Sequence, residues 1–189
     1  MPAARFAIDV RGATYGAYYV KAGHFGIPRF LLIDASGKVV FEGEIVIAIG
    51  KRARSISEEH AGDYIFGYTI MNDVTAAEIL FRDSSFAQWV RAKSCDTFGP
   101  FGPVVETEID PMSCTVVTVL NGDERQNYPV SDIIVPPKKL VSFLSQEMTL
   151  EPGDVISVGT SVGVGSMKPG STVSVTIDGI GSLVNEYAG

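Results

Sequence analysis

The sequence has little of what marks secreted, nucleic-acid-binding or membrane proteins. Its 189 residues include only two cysteines, Cys95 and Cys114, which fits a reducing cytosol better than a disulfide scaffold. There is no basic tract and the net charge is −7, so neither nucleic acid nor an anionic membrane is indicated as a partner. The longest apolar stretches, such as EIVIAIG, are too short to span a bilayer, and the first residues lack the apolar region of a secretion signal. We therefore expect an acidic cytoplasmic protein.

What the sequence does contain is a series of short alternating or β-branched runs, separated by many of its 20 glycines and 10 prolines. This pattern is typical of a strand-rich fold. The segment RFLLIDASGKVVFEGEIVIAIG predicts two strands around a turn at Ser36-Gly37, and YIFGYTIMND predicts a buried strand that ends at Asn72-Asp73. Asn121-Gly122 predicts a hairpin turn between two further strands. With no repeat and no convincing linker, we expect a single domain.

Three segments predict helices. A Ser-x-x-Glu pattern at Ser55 indicates the start of a short helix. The segment TAAEILFRDSSFAQWVRAK predicts a helix interrupted near residues 83–85. The segment PPKKLVSFLSQEMTL is amphipathic and begins after two prolines; the residues expected near its apolar face are Leu140, Phe143, Leu144 and Met148.

Two carboxylates stand two residues apart at the head of the strand in FEGEIVIAIGK. Because side chains alternate along a strand, Glu42 and Glu44 share one face. Asp73, at the end of a second predicted strand, adds a third carboxylate, and such a set suits Mg²⁺, Mn²⁺ or Ca²⁺. Zinc is disfavoured, because neither His24 nor His60 has a zinc-like spacing to a cysteine. On spacing alone, a Glu-x-Glu pair is more often a solvated face, so both interpretations stay open at this point.

Two further features allow a functional and an ordinary interpretation. Lys93 is either a surface lysine near a helix end or a cation that neutralises a substrate carboxylate or a developing oxyanion. The glycine-rich loop GTSVGVG, residues 159–165, permits close backbone approach to a ligand but is also typical of a tight turn. It lacks the spacing of a phosphate-binding loop.

Taken in chain order, these segments resemble the fumarylacetoacetate hydrolase family. The matching stretches are EGEIVIAIGKRARSISEEHAGDYIFGYTIMNDVTA, QWVRAKSCDTFGPFGPVV, NGDERQ and MTLEPGDVISVGTSVGVG. The resemblance runs from about Phe41 to Leu183. The sequence looks like a bacterial or archaeal member of the branch labelled 2-hydroxyhepta-2,4-diene-1,7-dioate isomerase or acylpyruvate hydrolase.

The resemblance implies an α+β fold: a mixed β-roll of the fumarylacetoacetate hydrolase C-terminal type, with short flanking helices and assembly as a homodimer or a higher homo-oligomer. Residues 1–40 would form N-terminal strands and a shortened lid region, and residues 41–189 the catalytic domain. The family resemblance also implies that Glu42, Glu44 and Asp73 hold a divalent metal, Mg²⁺ or Mn²⁺, with Ca²⁺ able to occupy the site in crystals.

The family motifs imply roles for four more positions. Lys93 matches the lysine of the Lys-Ser-x-Asp-Thr motif, Gln88 the glutamine ahead of a tryptophan, and Thr160 the threonine of the Gly-Thr loop. These three are the expected catalytic residues, and Gly159 and Thr160 the expected substrate-binding residues. In the family such groups surround a 2-oxo acid whose carboxylate and keto oxygens chelate the metal.

The sequence also departs from the family pattern. The Tyr-x-x-His-x-x-Glu stretch of the N-terminal lid, which activates water, is not found; His24 is nearest to it, but Ile27 stands where the glutamate is expected. One hypothesis is that a lid segment is missing from the sequence, which the mass of the intact protein would test. His60 is expected to be structural. Ala77 replaces a common arginine and Ser161 a common proline, and both changes bear on substrate choice.

The expected function is therefore a metal-dependent enzyme that acts on a 2-oxo or β-diketo acid through an enolate. Hydrolysis, decarboxylation and isomerisation all begin in this way. Hydrolysis needs a general base, so the missing lid pair favours the other two. The alternative is a protein that retains the fold without activity and serves in binding or scaffolding.

Overall fold

The structure is a computed structural model that describes residues 37–189 and, ahead of them, the backbone of four short strands, residues 7–11, 17–21, 24–25 and 30–31. In these residues the chain forms three sheets. The largest sheet, from edge to edge, consists of β2 (Ala17–Lys21), β1 (Ala7–Arg11), β12 (Val155–Ser157), β6 (Gly43–Ile49), β7 (Ile65–Asn72), β9 (Pro100–Glu106) and β3 (His24–Phe25). A five-stranded sheet consists of β11 (Asp123–Pro129), β10 (Thr115–Leu120), β14 (Ser171–Ile177), β15 (Gly181–Tyr187) and β4 (Phe30–Leu31). The smallest consists of β13 (Gly165–Met167), β5 (Val39–Phe41) and β8 (Thr75–Ala76).

Helices are short and few in the described part of the chain. They are α1 (Ala77–Leu80), α2 (Trp89–Lys93) and α3 (Pro137–Glu147), with 3₁₀ turns at Ala61–Tyr64, Pro111–Ser113 and Val130–Asp132. Most neighbouring strands are antiparallel, but the β1–β12, β3–β9 and β4–β15 pairs are parallel. The expected mixed, strand-rich fold with short helices is confirmed. None of the helices among the described residues is long and apolar enough to cross a bilayer.

The hairpin between β10 and β11 forms where the sequence predicts it. Asn121 and Gly122 both have positive φ, 53° and 92°, as the two central residues of a type I′ turn require. The interrupted helix is also confirmed, because α1 ends at Leu80 and α2 begins at Trp89.

The helix predicted after Ser55 is wrong. Ser55 has a φ of +52°, and only the 3₁₀ turn at Ala61–Tyr64 follows. The reason is that this segment bonds to the end of α3 instead of capping a helix of its own. The amide of Ser55 donates to the Ser145 carbonyl at 2.7 Å, and the amide of Ile56 donates to the Ser145 hydroxyl at 3.0 Å.

The buried face of α3 differs from the expected one. Phe143 is 47% exposed, and Met148 lies just past the end of the helix. The buried residues pair at spacings of four along two adjacent rows, which places Phe143 at the edge of the packed face. They are Pro137, Leu140, Val141, Leu144 and Ser145.

Strand β6 is buried along its whole length because it presents a different apolar cluster on each face. Ile45, Ile47 and Ile49 belong to the main core. Val46, on the opposite face, packs in a second, smaller cluster. Glu44 shares the face of Val46 by strand alternation, so the carboxylate pair lies on the side of the sheet turned away from the main core.

Candidate metal centre

The pairing of β6 with β7 brings the three carboxylates together. Glu42 immediately precedes β6, and Asp73 immediately follows β7. The two strands are antiparallel with Gly43 opposite Asn72, so the head of one strand lies beside the tail of the other. The amide of Asp73 donates to the Glu42 carbonyl at 2.7 Å. One oxygen from each of Glu42, Glu44 and Asp73 lies within 4.8 Å of the others.

These carboxylates are removed from solvent, with Glu42 2% exposed and Glu44 and Asp73 fully buried. The Thr75 hydroxyl donates to Glu42 Oε1 at 2.9 Å. The Ser157 hydroxyl donates to Glu44 Oε2. Such donors orient a carboxylate without neutralising it. The interpretation of Glu42 and Glu44 as a solvated strand face is therefore excluded.

Lys93 is fully buried at the end of α2. Its ammonium contacts Asp73 Oδ2 and lies 3.8 Å from Glu42 Oε2. This placement excludes the surface-lysine interpretation. A lysine is rarely buried unless its charge is paired, and here the partners are two of the three clustered carboxylates.

The cluster has the charge and the chemistry of a divalent-cation site. When all four groups are ionised, the three carboxylates outnumber the ammonium of Lys93 by two charges within this buried cluster of described residues. Unbalanced buried charge is costly, and one divalent cation would remove it. The cluster offers only oxygen ligands, which Mg²⁺ and Mn²⁺ prefer and Ca²⁺ accepts. Glu42, Glu44 and Asp73 thus fit the metal that the family resemblance implies.

The Gly-Thr loop lies directly against this cluster. The Gly159 amide donates to Glu44 Oε2 at 3.0 Å. The Thr160 hydroxyl donates to the carbonyl of Gly43, the residue between the two glutamates, at 2.9 Å. Both predicted loop residues are therefore in contact with the start of β6, which carries Glu44 and would be the metal-binding strand.

Two residues of β11, Gln126 and Tyr128, also contact the residue between the two glutamates. Neither was among the site residues expected from the sequence. Gln126 accepts from the Gly43 amide at 3.0 Å, and the Tyr128 hydroxyl donates to the Gly43 carbonyl at 2.9 Å. Burial, with a further contribution from the Glu44 carboxylate, raises the pKa of Tyr128 above its usual range, so this hydroxyl stays a donor. A signal was present: both residues follow the hairpin turn at a spacing of two, which places them on one face.

Gln88 is not brought into the cluster. It lies half-buried just before α2, and its side-chain amide donates to the Phe86 carbonyl at 3.3 Å. Among the described residues, no hydrogen bond joins it to the three carboxylates. Its catalytic role stays a prediction.

The other residues named in the sequence analysis are two histidines and two departures from the family pattern. His60 is exposed, with Nδ1 3.7 Å from Asp63 Oδ2, consistent with a residue outside the site. His24 is in β3, but its side chain, like Ile27 and the lid region, falls outside the described residues. Ala77 begins α1, and Ser161 follows Thr160 in the loop.

A family model described as fumarylacetoacetate (FAA) hydrolase C-terminal matches residues 17–187 of the sequence. The chain belongs to the fumarylacetoacetate hydrolase family. This confirms the resemblance, and the family's C-terminal fold accounts for the mixed sheets and the few short helices described above.

Characterised and uncharacterised family members are similar over most of the chain. The uncharacterized protein MJ1656 of Methanocaldococcus jannaschii is 45% identical over 150 residues, which cover 79% of this chain and 62% of that protein. The oxaloacetate tautomerase YisK of Bacillus subtilis is 39% identical over 163 residues, which cover 81% of this chain and 53% of that protein. The chain thus spans between about half and about three fifths of the length of these fumarylacetoacetate hydrolase relatives.

A solved structure of the family agrees closely with the fold. The crystal structure of 5-carboxymethyl-2-hydroxymuconate delta-isomerase from Mycobacterium smegmatis superposes with a TM-score of 0.90 at 37% identity. The superposition covers 98% of this chain and 77% of that one.

Proposed function

We propose that this protein is a divalent-metal-dependent enzyme that converts a 2-oxo or β-diketo acid through an enolate, with keto–enol isomerisation as its leading reaction. The observation that carries the proposal is the buried cluster of Glu42, Glu44 and Asp73 with Lys93 against it. The choice of isomerisation is supported by the relatives that are named as a tautomerase and an isomerase. Decarboxylation and C–C bond hydrolysis pass through the same enolate and are the alternatives.

Each residue of the cluster has a defined task in this proposal. Glu42, Glu44 and Asp73 would hold Mg²⁺ or Mn²⁺, and the ion, when bound, supplies Lewis-acid chemistry toward a keto group. Lys93 places a positive charge beside Asp73 and Glu42, where it would stabilise the negative charge that develops on an enolate oxygen. Gly159 and Thr160 would hold the substrate at the loop. Thr75 and Ser157 keep two of the carboxylates oriented through the hydrogen bonds described above.

Isomerisation moves one proton between carbon and oxygen and uses no water. Decarboxylation breaks a C–C bond to release CO₂, and hydrolysis consumes a water molecule. The three reactions therefore give different products from related acids. Oxaloacetate reports tautomerisation and decarboxylation, and an acylpyruvate reports hydrolysis.

The test is a substrate panel of oxaloacetate and several acylpyruvates with Mg²⁺ or Mn²⁺, followed by ultraviolet absorbance and product analysis. We expect turnover that requires metal and that Lys93→Ala lowers by at least about 100-fold, as loss of one electrostatic donor does at other active sites. Lys51→Ala removes an exposed lysine and is the matched control. No turnover of any acid by protein shown to bind metal would overturn the proposal and favour a binding role. The homodimer stays a prediction, which light scattering of the purified protein would test.

A further inference from the structure

A single buried amide joins the metal-binding strand to the Gly-Thr loop. Gln126 lies on β11 in the five-stranded sheet and is 2% exposed, whereas its neighbours Arg125 and Asn127 are exposed. Its side chain crosses to the head of β6 in the seven-stranded sheet, where it accepts from the Gly43 amide at 3.0 Å. A fully buried glutamine is uncommon, so the contacts of its remaining atoms are informative.

Both ends of the Gln126 amide are used. Its Nε2 donates to the Thr160 hydroxyl at 2.7 Å and to the Ser161 carbonyl at 3.1 Å. The Thr160 hydroxyl has one proton, which it donates to the Gly43 carbonyl at 2.9 Å. That hydroxyl must therefore accept from Gln126, which fixes the orientation of the amide. The result is a closed ring of hydrogen bonds from the Gly43 amide through Gln126 and Thr160 back to the Gly43 carbonyl.

The ring starts and ends at Gly43, the residue between the two glutamates. A Cβ added at Gly43 would lie 2.0 Å from the Thr118 hydroxyl and 3.3 Å from Gln126 Oε1, so only glycine lets the two sheets approach closely enough for this contact. The loop meets the strand a second time where the Gly159 amide donates to Glu44. The glutamates, in contrast, are oriented by donors outside the ring, Thr75 and Ser157.

We propose that Gln126 is a positioning residue that holds residues 159–161 of the loop against the metal-binding strand, and thereby sets where a substrate carboxylate can bind. We call the attachment of residues 159–161 to β6 through Gln126 the tether. The role of Gln126 in substrate binding rests on the proposed function, whereas the tether does not. Because the carboxylates have their own donors, loss of Gln126 loosens the loop much more than it weakens the metal site. Gln126 thus acts on substrate affinity through Thr160 and Ser161 rather than by contact with the reacting atoms.

The variant Gln126→Met keeps the side-chain length and removes all three hydrogen bonds of the amide. Asn127→Ala, at the exposed neighbouring position, is the matched control. Thr160→Val removes the partner from the other end of the ring and serves if Gln126→Met fails to fold. Amide hydrogen exchange of peptides covering residues 159–165 is measured with metal bound, together with Mn²⁺ affinity by calorimetry and the KM and kcat for the best acid of the panel.

We expect exchange in the loop to rise by about tenfold in Gln126→Met, because the loop loses its two hydrogen bonds to the Gln126 amide, and not in Asn127→Ala. KM should rise by at least about tenfold while kcat and the Mn²⁺ dissociation constant change by less than about threefold. Unchanged loop exchange in a folded variant would overturn the tether, and an equal loss of metal binding would show a purely structural role. If the wild type turns over no acid, the proposed function fails while the exchange result still decides the tether.

Discussion

The charged residues at the two ends of strand β6 differ in their exposure to solvent. At its head, Glu42 and Glu44 are buried, and the buried ammonium of Lys93 lies 3.8 Å from Glu42. Past its tail, Lys51 and Arg52 are exposed, and Arg52 forms an ion pair with Glu151 at 3.2 Å in which the side chains are 71% and 44% exposed. Both ends pair acidic with basic groups, yet only one of them removes those groups from water.

The difference is between charged groups that stay in contact with water and charged groups whose burial is costly unless a partner balances them. Exposed ion pairs contribute little to stability because water screens them. A buried cluster in which carboxylates outnumber the cationic side chain is costly, and a bound divalent cation would lower that cost. If the cluster binds metal as proposed, binding and folding are linked at the head of β6 and not at its tail.

The largest expected effect comes from removing the cation at the head. In metal-free protein, Lys93→Met removes the buried ammonium that contacts Asp73 and Glu42, and the free energy of unfolding should fall by about 3–5 kcal/mol. Lys51→Met, at the tail, makes the same change in net charge and should leave stability nearly unaltered. Chemical denaturation in the presence of a chelator measures both.

Addition of Mn²⁺ sharpens this test. The ammonium of Lys93 repels a cation at the site, so Lys93→Met should bind Mn²⁺ more tightly, by about tenfold. Saturating metal should therefore stabilise the variant more than the wild type. Metal-free Lys93→Met as stable as the wild type would contradict the electrostatic account of the cluster.

The second effect concerns the ligands. Glu44→Gln retains the shape and the oxygen that accepts from Ser157 and Gly159, but loses the charge. We expect Mn²⁺ to bind at least about 100-fold more weakly, equivalent to about 2.7 kcal/mol. Glu151→Gln, at the tail, is the control that removes an exposed carboxylate. Isothermal calorimetry measures both, and an unchanged affinity in Glu44→Gln would exclude the cluster as the metal site.

Local sequence patterns predicted much of the head of β6. Strand alternation placed Glu42 and Glu44 on one face, and the end of the following strand supplied Asp73, because both features depend on residues near one another in the chain. Whether that face met solvent could not be read from spacing. Burial depends on β12 and β9 and on the loop after β12, which arrive from distant parts of the sequence.

The contacts of Gln126 and Tyr128 show where such prediction ends. Both belong to the five-stranded sheet, and their partner Gly43 belongs to the other large sheet, more than 80 residues earlier in the chain. A contact between sheets has no local periodicity that reveals it. Phe143 is an error of the opposite kind. Its apolar side chain predicted a place on the buried face of α3, but it is 47% exposed because the packed face of the helix lies to one side of it.

A smaller effect is expected from the glycine between the two glutamates. In Gly43→Ala the new methyl group would lie 2.0 Å from the Thr118 hydroxyl and 3.1 Å from Val175 Cγ1, and such overpacking should lower the free energy of unfolding by about 1–3 kcal/mol. The Thr118 hydroxyl forms no hydrogen bond with the described residues, so Thr118→Ala can relieve the contact. Denaturation midpoints of Gly43→Ala with and without Thr118→Ala measure the effect. A Gly43→Ala protein as stable as the wild type would show that the two sheets can move apart here without loss of stability.

The smallest effect is expected at the tail. Arg52→Gln breaks the ion pair with Glu151 but leaves both positions in contact with water, so the free energy of unfolding should change by less than about 0.5 kcal/mol. The change should shrink further in high salt, because screening already weakens the pair in the wild type. Denaturation at low and high salt measures it. A loss above about 1 kcal/mol would mean that an exposed pair supports β6 as a buried one does, and burial would then not be what distinguishes the two ends.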